Sequence, residues 1–205
     1  VKGTRTLADW LAQPEGHRLE LVNGNFVEKA SPSSEHGVTQ TRVGIQVGGP
    51  FMRRSGGTRP GGWWIATEVD VLLGSDLFRP DLIGWRRERV PEIPRDRPTA
   101  VRPDWICEII SDSNAAHDRV VKMRAYHQAQ VPHYWLLDPL ERTLVVMRHA
   151  AGGYLNVMAA TADERVRPEP FESVEFLVAS FFDDADDPWS ERQEGGPTTS
   201  VRLRD

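Results

Sequence analysis

Two carboxylates in this chain stand where a charge is costly. Asp81 follows Pro80 at the start of a short apolar run, and Glu108 lies inside Trp105-Ile106-Cys107-Glu108-Ile109-Ile110, the most apolar run of the sequence. A carboxylate left unpaired in such a place costs on the order of several kcal/mol. Glu108 therefore needs a cation, an Arg or Lys, or a raised pKa. Strand alternation puts Ile106, Glu108 and Ile110 on one face. If the runs 80–85 and 105–110 are neighbouring strands, Asp81 and Glu108 converge on one point. Two carboxylates with a backbone oxygen and waters suit Mg2+, with Mn2+ as its usual substitute. An ion so held activates water and stabilises charge on a phosphoryl group. Asp118, Lys122 and Tyr126 follow at spacings of four, so they share a helix face. Lys122 either aims at Glu108, where an ammonium orients water and offsets phosphate charge, or forms a surface pair with Asp118 worth about 0.3 kcal/mol.

The elements that must position these groups are legible in outline. Residues 6–13 read as a short helix capped by Thr6. Strand-like runs flank Asn23-Gly24, a strong hairpin signal. A helix is expected from about Ser34 to Arg53, weakened by Gly44, Gly48 and Gly49. On it His36 is expected to face solvent, and Gln40 and Arg42 an ordinary helix surface. Trp63 to Leu73 reads as a strand hairpinned to 79–85, and 87–103 as an Arg- and Pro-rich loop. The run 105–110 should be central in its sheet. A helix capped by Asp112, Ser113 or Asn114 runs to about Gln130, where Val131-Pro132 closes it. Strands follow over 133–137, 144–148, 154–159 and, weakly, 174–177. This order predicts an α/β domain, a mixed sheet flanked by helices, over residues 1–182. Residues 183–205 read as an acidic, flexible tail.

Composition narrows the function classes. The net charge is -5, which weighs against an all-over basic nucleic-acid binder. The acid is concentrated at the C-terminal end, in Asp183, Asp184, Asp186, Asp187, Glu191 and Glu194, whereas Arg79, Arg86, Arg87, Arg89, Arg95, Arg97 and Arg102 cluster in mid-chain. Arg86, Arg87 and Arg89 thus either meet phosphate or form a solvated loop. Trp63, Trp64, Trp85, Trp105 and Trp135 could stack on bases, but most fall in strand-like runs, so core or dimer packing is expected. Cys107 is the only cysteine, so no internal disulfide or Cys-based zinc site is possible. His127 and His133 lack metal-ligand spacing. No apolar run approaches the ~20 residues of a membrane span. No apolar segment follows the basic first residues as in a signal peptide, and the cytoplasm is the expected compartment.

Taken in order, Leu19-Glu20-Leu21-Val22-Asn23-Gly24, Ser33-Ser34-Glu35-His36, Arg79-Pro80-Asp81-Leu82, Glu108-Ile109-Ile110-Ser111, Asp118 to Lys122, Tyr126 and Val131 to Pro139 resemble the bacterial family described as putative restriction endonucleases, abundant in cyanobacteria and belonging to the PD-(D/E)XK superfamily. The resemblance covers roughly residues 6–182. It implies a restriction-endonuclease-like core and a Mg2+-dependent endodeoxyribonuclease, with Asp81 and Glu108 as metal ligands and Glu20 as a further acid beside the site. The superfamily's lysine would fall two residues after the glutamate, where this chain has Ile110; Lys122 matches the position to which the resembling family has moved it. Asp112 also stands where relatives carry proline. The alternative is a nuclease fold without activity that binds nucleic acid or protein. Nucleic acid, DNA first, is the expected partner, and an exposed strand in the C-terminal half suggests a homodimer.

Overall fold

The computed structural model describes residues 4–54, 60–111 and 117–182. The expected acidic tail, and the caps proposed at Asp112 to Asn114, lie outside the described residues. The chain is an α/β fold whose mixed central sheet is flanked by helices, consistent with a restriction-endonuclease-like core.

The N-terminal part forms a small side sheet. Helix α1 (Leu7–Leu11) is fixed by a capping box between Thr6 and Asp9. It seals Trp10 against β1 (Leu19–Val22), where the Trp10 indole N–H donates to the Leu19 carbonyl at 2.6 Å. The Asn23-Gly24 turn, with φ of 49° and 70°, returns the chain into β2 (Asn25–Glu28). Strands β4 (Val71–Leu73) and β5 (Asp76–Phe78) complete the order β2-β1-β5-β4. The expected single strand over 63–73 is in fact two. It breaks at Glu68, whose φ of 55° no extended strand accommodates.

The central sheet has six strands. Besides β3 (Trp63–Thr67), β6 (Leu82–Arg86) and β7 (Trp105–Ile109), it contains β8 (His133–Asp138), β9 (Thr143–Ala150) and β10 (Gly153–Thr161). The order is β10-β9-β8-β7-β6-β3, and only the β7–β8 pair is parallel. That pair needs a crossover, which a π-helical stretch (His117–Lys122) and α3 (Met123–Gln128) supply. A short pair, β11 (Arg165–Val166) with β12 (Phe176–Leu177), and a 3-10 turn (Val178–Phe181) end the described chain.

Both faces of the sheet are covered, so its strands are apolar on both sides. On one face α2 (Ser34–Phe51) sets Val43, Val47 and Phe51 against Trp105, Cys107 and Ile109. This burial outweighs the low helix propensity of the glycines and of Pro50 inside the helix. On the other face Tyr126 of α3 packs among Ile83, Trp85, Ile106 and Tyr134. Gly84 lies where a Cβ would meet Trp63 and Trp105 ring carbons, each at 3.2 Å, so the two indoles close over the strand only because it has no side chain. Trp63, Trp85, Trp105 and Trp135 are buried as expected. The Arg-rich loop is tied to the fold. Arg87 lies 3.5 Å above the Trp64 ring and donates to the Trp63 and Met52 carbonyls, while Arg89 binds Asp104 at 2.8 Å. Among the described residues, no helix is long and apolar enough to cross a membrane.

Candidate functional site

The register between β6 and β7 assembles the acids. Leu82 pairs with Cys107 in an antiparallel ladder. Asp81 immediately precedes that ladder, and its carboxylate reaches across to β7, where it accepts the Ile109 N–H. Asp81 and Glu108, with Glu20 and Lys122, line one cleft at the C-terminal end of β7. Glu20, Asp81, Glu108 and Lys122 are 2%, 1%, 1% and 2% exposed, so all four are charged groups inside the protein that require partners.

Glu108 is met from α3. Lys122 Nζ lies 3.1 and 3.2 Å from its two carboxylate oxygens, and the Tyr126 hydroxyl donates to Oε1 at 2.5 Å. The fourfold spacing of Lys122 and Tyr126 does put them on one face, aimed at the strand that carries Glu108. The surface-pair reading of Lys122 is thereby replaced by a buried one. The side chain of Asp118 lies outside the described residues. Burial, then the charges of Glu108 and Glu20, pushes the Tyr126 phenol well above its ordinary pKa, so it serves as a neutral donor. Lys122 also lies 3.4 Å from Glu20 on β1, whose carboxylate accepts the Arg79 N–H at 2.8 Å. The side sheet thus brings Glu20 to the same ammonium.

Asp81 has a different set of partners. Its Oδ2 accepts the Ile109 N–H at 2.7 Å and faces His36 Nε2 at 3.2 Å. Its Oδ1 accepts from Lys29 Nζ at 2.8 Å. Burial alone would raise its pKa, but the His36 hydrogen bond and the Lys29 charge outweigh it and hold the carboxyl well below the usual range. Burial likewise opposes charge on Lys29, yet Asp81 first and then Glu108 keep its ammonium above the ordinary value.

His36 is the main correction to the sequence reading. It is buried, not solvent-facing, and it touches Asp81. One turn later Gln40 donates to the Asp81 carbonyl at 2.8 Å and to Glu68 at 3.2 Å. The face of α2 carrying His36 and Gln40 therefore belongs to the site. The fourfold spacing of two polar residues was the available signal. Lys29 and Glu68 were missed as well, and nothing local marks either of them. Arg79 braces the group. Asp70 binds its guanidinium through two bonds, at 2.7 and 3.1 Å, fixing a backbone whose N–H serves Glu20 and whose carbonyl serves Lys29.

Among the described residues no three His, Cys, Asp or Glu side chains are grouped so as to hold a metal ion. In the arrangement described, ammonium groups stand between the acids. The chemistry of the donor set nonetheless fits a hard cation. Asp81 and Glu108 are two carboxylates lining one cleft, and Mg2+ takes one or two carboxylates and keeps several waters.

Comparison with known proteins agrees with the fold. No curated protein matches the chain. A crystal structure of a putative nuclease belonging to DUF820, from Anabaena variabilis, superposes with a TM-score of 0.65 at 21% identity, over 86% of this chain and 97% of that one; the likeness is one of fold. The model of the Uma2 family, described as putative restriction endonuclease, matches residues 5–179. The chain therefore belongs to the Uma2 family, within the PD-(D/E)XK superfamily.

Proposed function

We propose that this protein is a Mg2+-dependent endodeoxyribonuclease in which Asp81 and Glu108 hold the ion. The observation that supports the reading is that Asp81 and Glu108 line one cleft, with Lys122 on Glu108. When bound, the ion supplies an activated water and charge stabilisation at the scissile phosphate. Lys122 supplies a positive charge for the phosphate and a donor that orients the water. Glu20 lies 3.4 Å from Lys122 and adds a carboxylate beside the site. Tyr126 fixes the Glu108 carboxylate in place. We take DNA as the polymer cleaved, the cytoplasm as the compartment, and residues 1–182 as the catalytic domain. Strand β10, at the edge of the central sheet, offers a pairing surface for a second copy.

A second reading keeps the fold without the chemistry, as a nucleic-acid- or protein-binding module. It is favoured by one observation: Lys29 and Lys122 already pair Asp81 and Glu108, so the acids have partners without any ion. Titration of metal-stripped protein with Mn2+ by calorimetry, alongside a DNA cleavage assay, separates the two. The nuclease reading predicts saturable Mn2+ binding, cleavage with Mg2+ or Mn2+, and arrest by EDTA. Heat-silent titration with no cleavage would leave the module.

A further inference from the structure

We infer that Lys29 is a tethered cation on Asp81, and that binding of a divalent ion displaces its ammonium from Oδ1. The inference rests on the metal-site reading above. Lys29 follows directly after β2, and its backbone is fixed. Its N–H donates to the Arg18 carbonyl at 2.7 Å, and its carbonyl accepts from Arg18 Nε at 3.3 Å. Its side chain lines the cleft, and its three ammonium protons have three acceptors: Asp81 Oδ1 at 2.8 Å, Glu68 Oε1 at 2.9 Å and the Arg79 carbonyl at 2.7 Å. Because Ile109 N–H and His36 engage Oδ2, groups face both oxygens of Asp81. A divalent ion on Asp81 would lie close to a positive charge in a buried site, where like charges repel strongly.

Lys29 has somewhere to go. Two of its three acceptors, Glu68 and the Arg79 carbonyl, are outside the proposed ligand set, so it can leave Oδ1 and keep both. Glu68 is itself braced to receive it. Gln40 binds the same Oε1 at 3.2 Å, Arg18 lies 3.7 Å from Oε2, and the Glu68 N–H donates to the Asp81 carbonyl at 3.3 Å. Glu68 has a left-handed backbone, with φ of 55°. Lys122, by contrast, contacts both oxygens of Glu108, at 3.1 and 3.2 Å, and lies 3.4 Å from Glu20, and both residues are acids of the site itself. Lys29 thus sets the strength of metal binding, while Lys122 serves the phosphate.

The test is calorimetric titration of metal-stripped wild type, Lys29→Met and Lys29→Gln with Mn2+. The glutamine variant keeps a hydrogen-bonding head should the methionine variant fold poorly. Both variants are expected to bind Mn2+ at least about tenfold more tightly than wild type, and to gain more in Tm on adding Mn2+. A variant that folds only when Mn2+ is present also supports the displacement. Structural damage alone would weaken the site, so a gain in affinity is diagnostic. Equal or weaker binding by folded variants overturns the role of Lys29 and leaves the metal site standing. No Mn2+ binding by any of the three proteins overturns both.

Discussion

Asp81→Asn is expected to abolish Mn2+ binding and DNA cleavage and, at the same time, to lower stability by about 2–4 kcal/mol. The two effects have one origin. Asp81 accepts from Ile109 N–H and from Lys29, and faces His36. An asparagine keeps the shape but has one acceptor oxygen, so its amide must point a donor at another donor. The loss of charge removes the metal ligand and leaves Lys29 with less compensation in a buried place. The variant is best assayed where circular dichroism shows it folded, with urea midpoints giving the stability change. Cleavage at the wild-type rate by the folded variant would eliminate Asp81 as a ligand. A stability change near zero would contradict the partners described here.

The second large effect is expected at Lys122. Lys122→Met leaves Glu20 and Glu108 buried without the ammonium that both approach, at 3.4 and 3.1 Å. Removing one partner of a buried ion pair costs about 3–5 kcal/mol, more than the pair itself contributes, because the remaining charges lose compensation. Cleavage should fall with it, since the phosphate loses its cation. Adding Glu108→Gln to Lys122→Met should recover part of the stability, as Tyr126 can still donate to the amide oxygen, but none of the activity. Urea denaturation of the single and double variants measures the coupling. A single variant within about 1 kcal/mol of wild type would mean that Lys122 is a solvated surface group after all.

The buried pair of acids, Asp81 and Glu108, was legible because of its surroundings. A glutamate between Cys107 and Ile109, and an aspartate opening an apolar strand, are costly enough to stand out in a single sequence. Lys122 was legible through its fourfold spacing to Tyr126. Glu20 came only from resemblance, since its local sequence is that of an ordinary strand acid. His36, Gln40, Lys29 and Glu68 were not found, for a physical reason. Each reaches Asp81 or its neighbours from an element distant in sequence, and local patterning carries no record of such contacts. His36 also has the look of a first-turn helix residue facing water. It is buried because α2 packs over the start of β6. The fold was read with similar selectivity. The long apolar strands and helices were found. The three-residue strand β5 and the break at Glu68 were not, because pairing and a left-handed residue, not periodicity, define them. The Arg-rich loop was read as solvated or phosphate-binding, but Arg87 and Arg89 hold the fold together.

The central claim is that Asp81 and Glu108 share one metal ion. A crystal of the wild-type protein soaked in Mn2+, with anomalous scattering collected at the manganese edge, tests it most directly. The account predicts one anomalous peak in the cleft bonded to oxygens of both carboxylates, with Lys122 still on Glu108 and Lys29 withdrawn toward Glu68. A cleft without a peak in a crystal saturated with Mn2+, or a peak bonded to neither carboxylate, would contradict it.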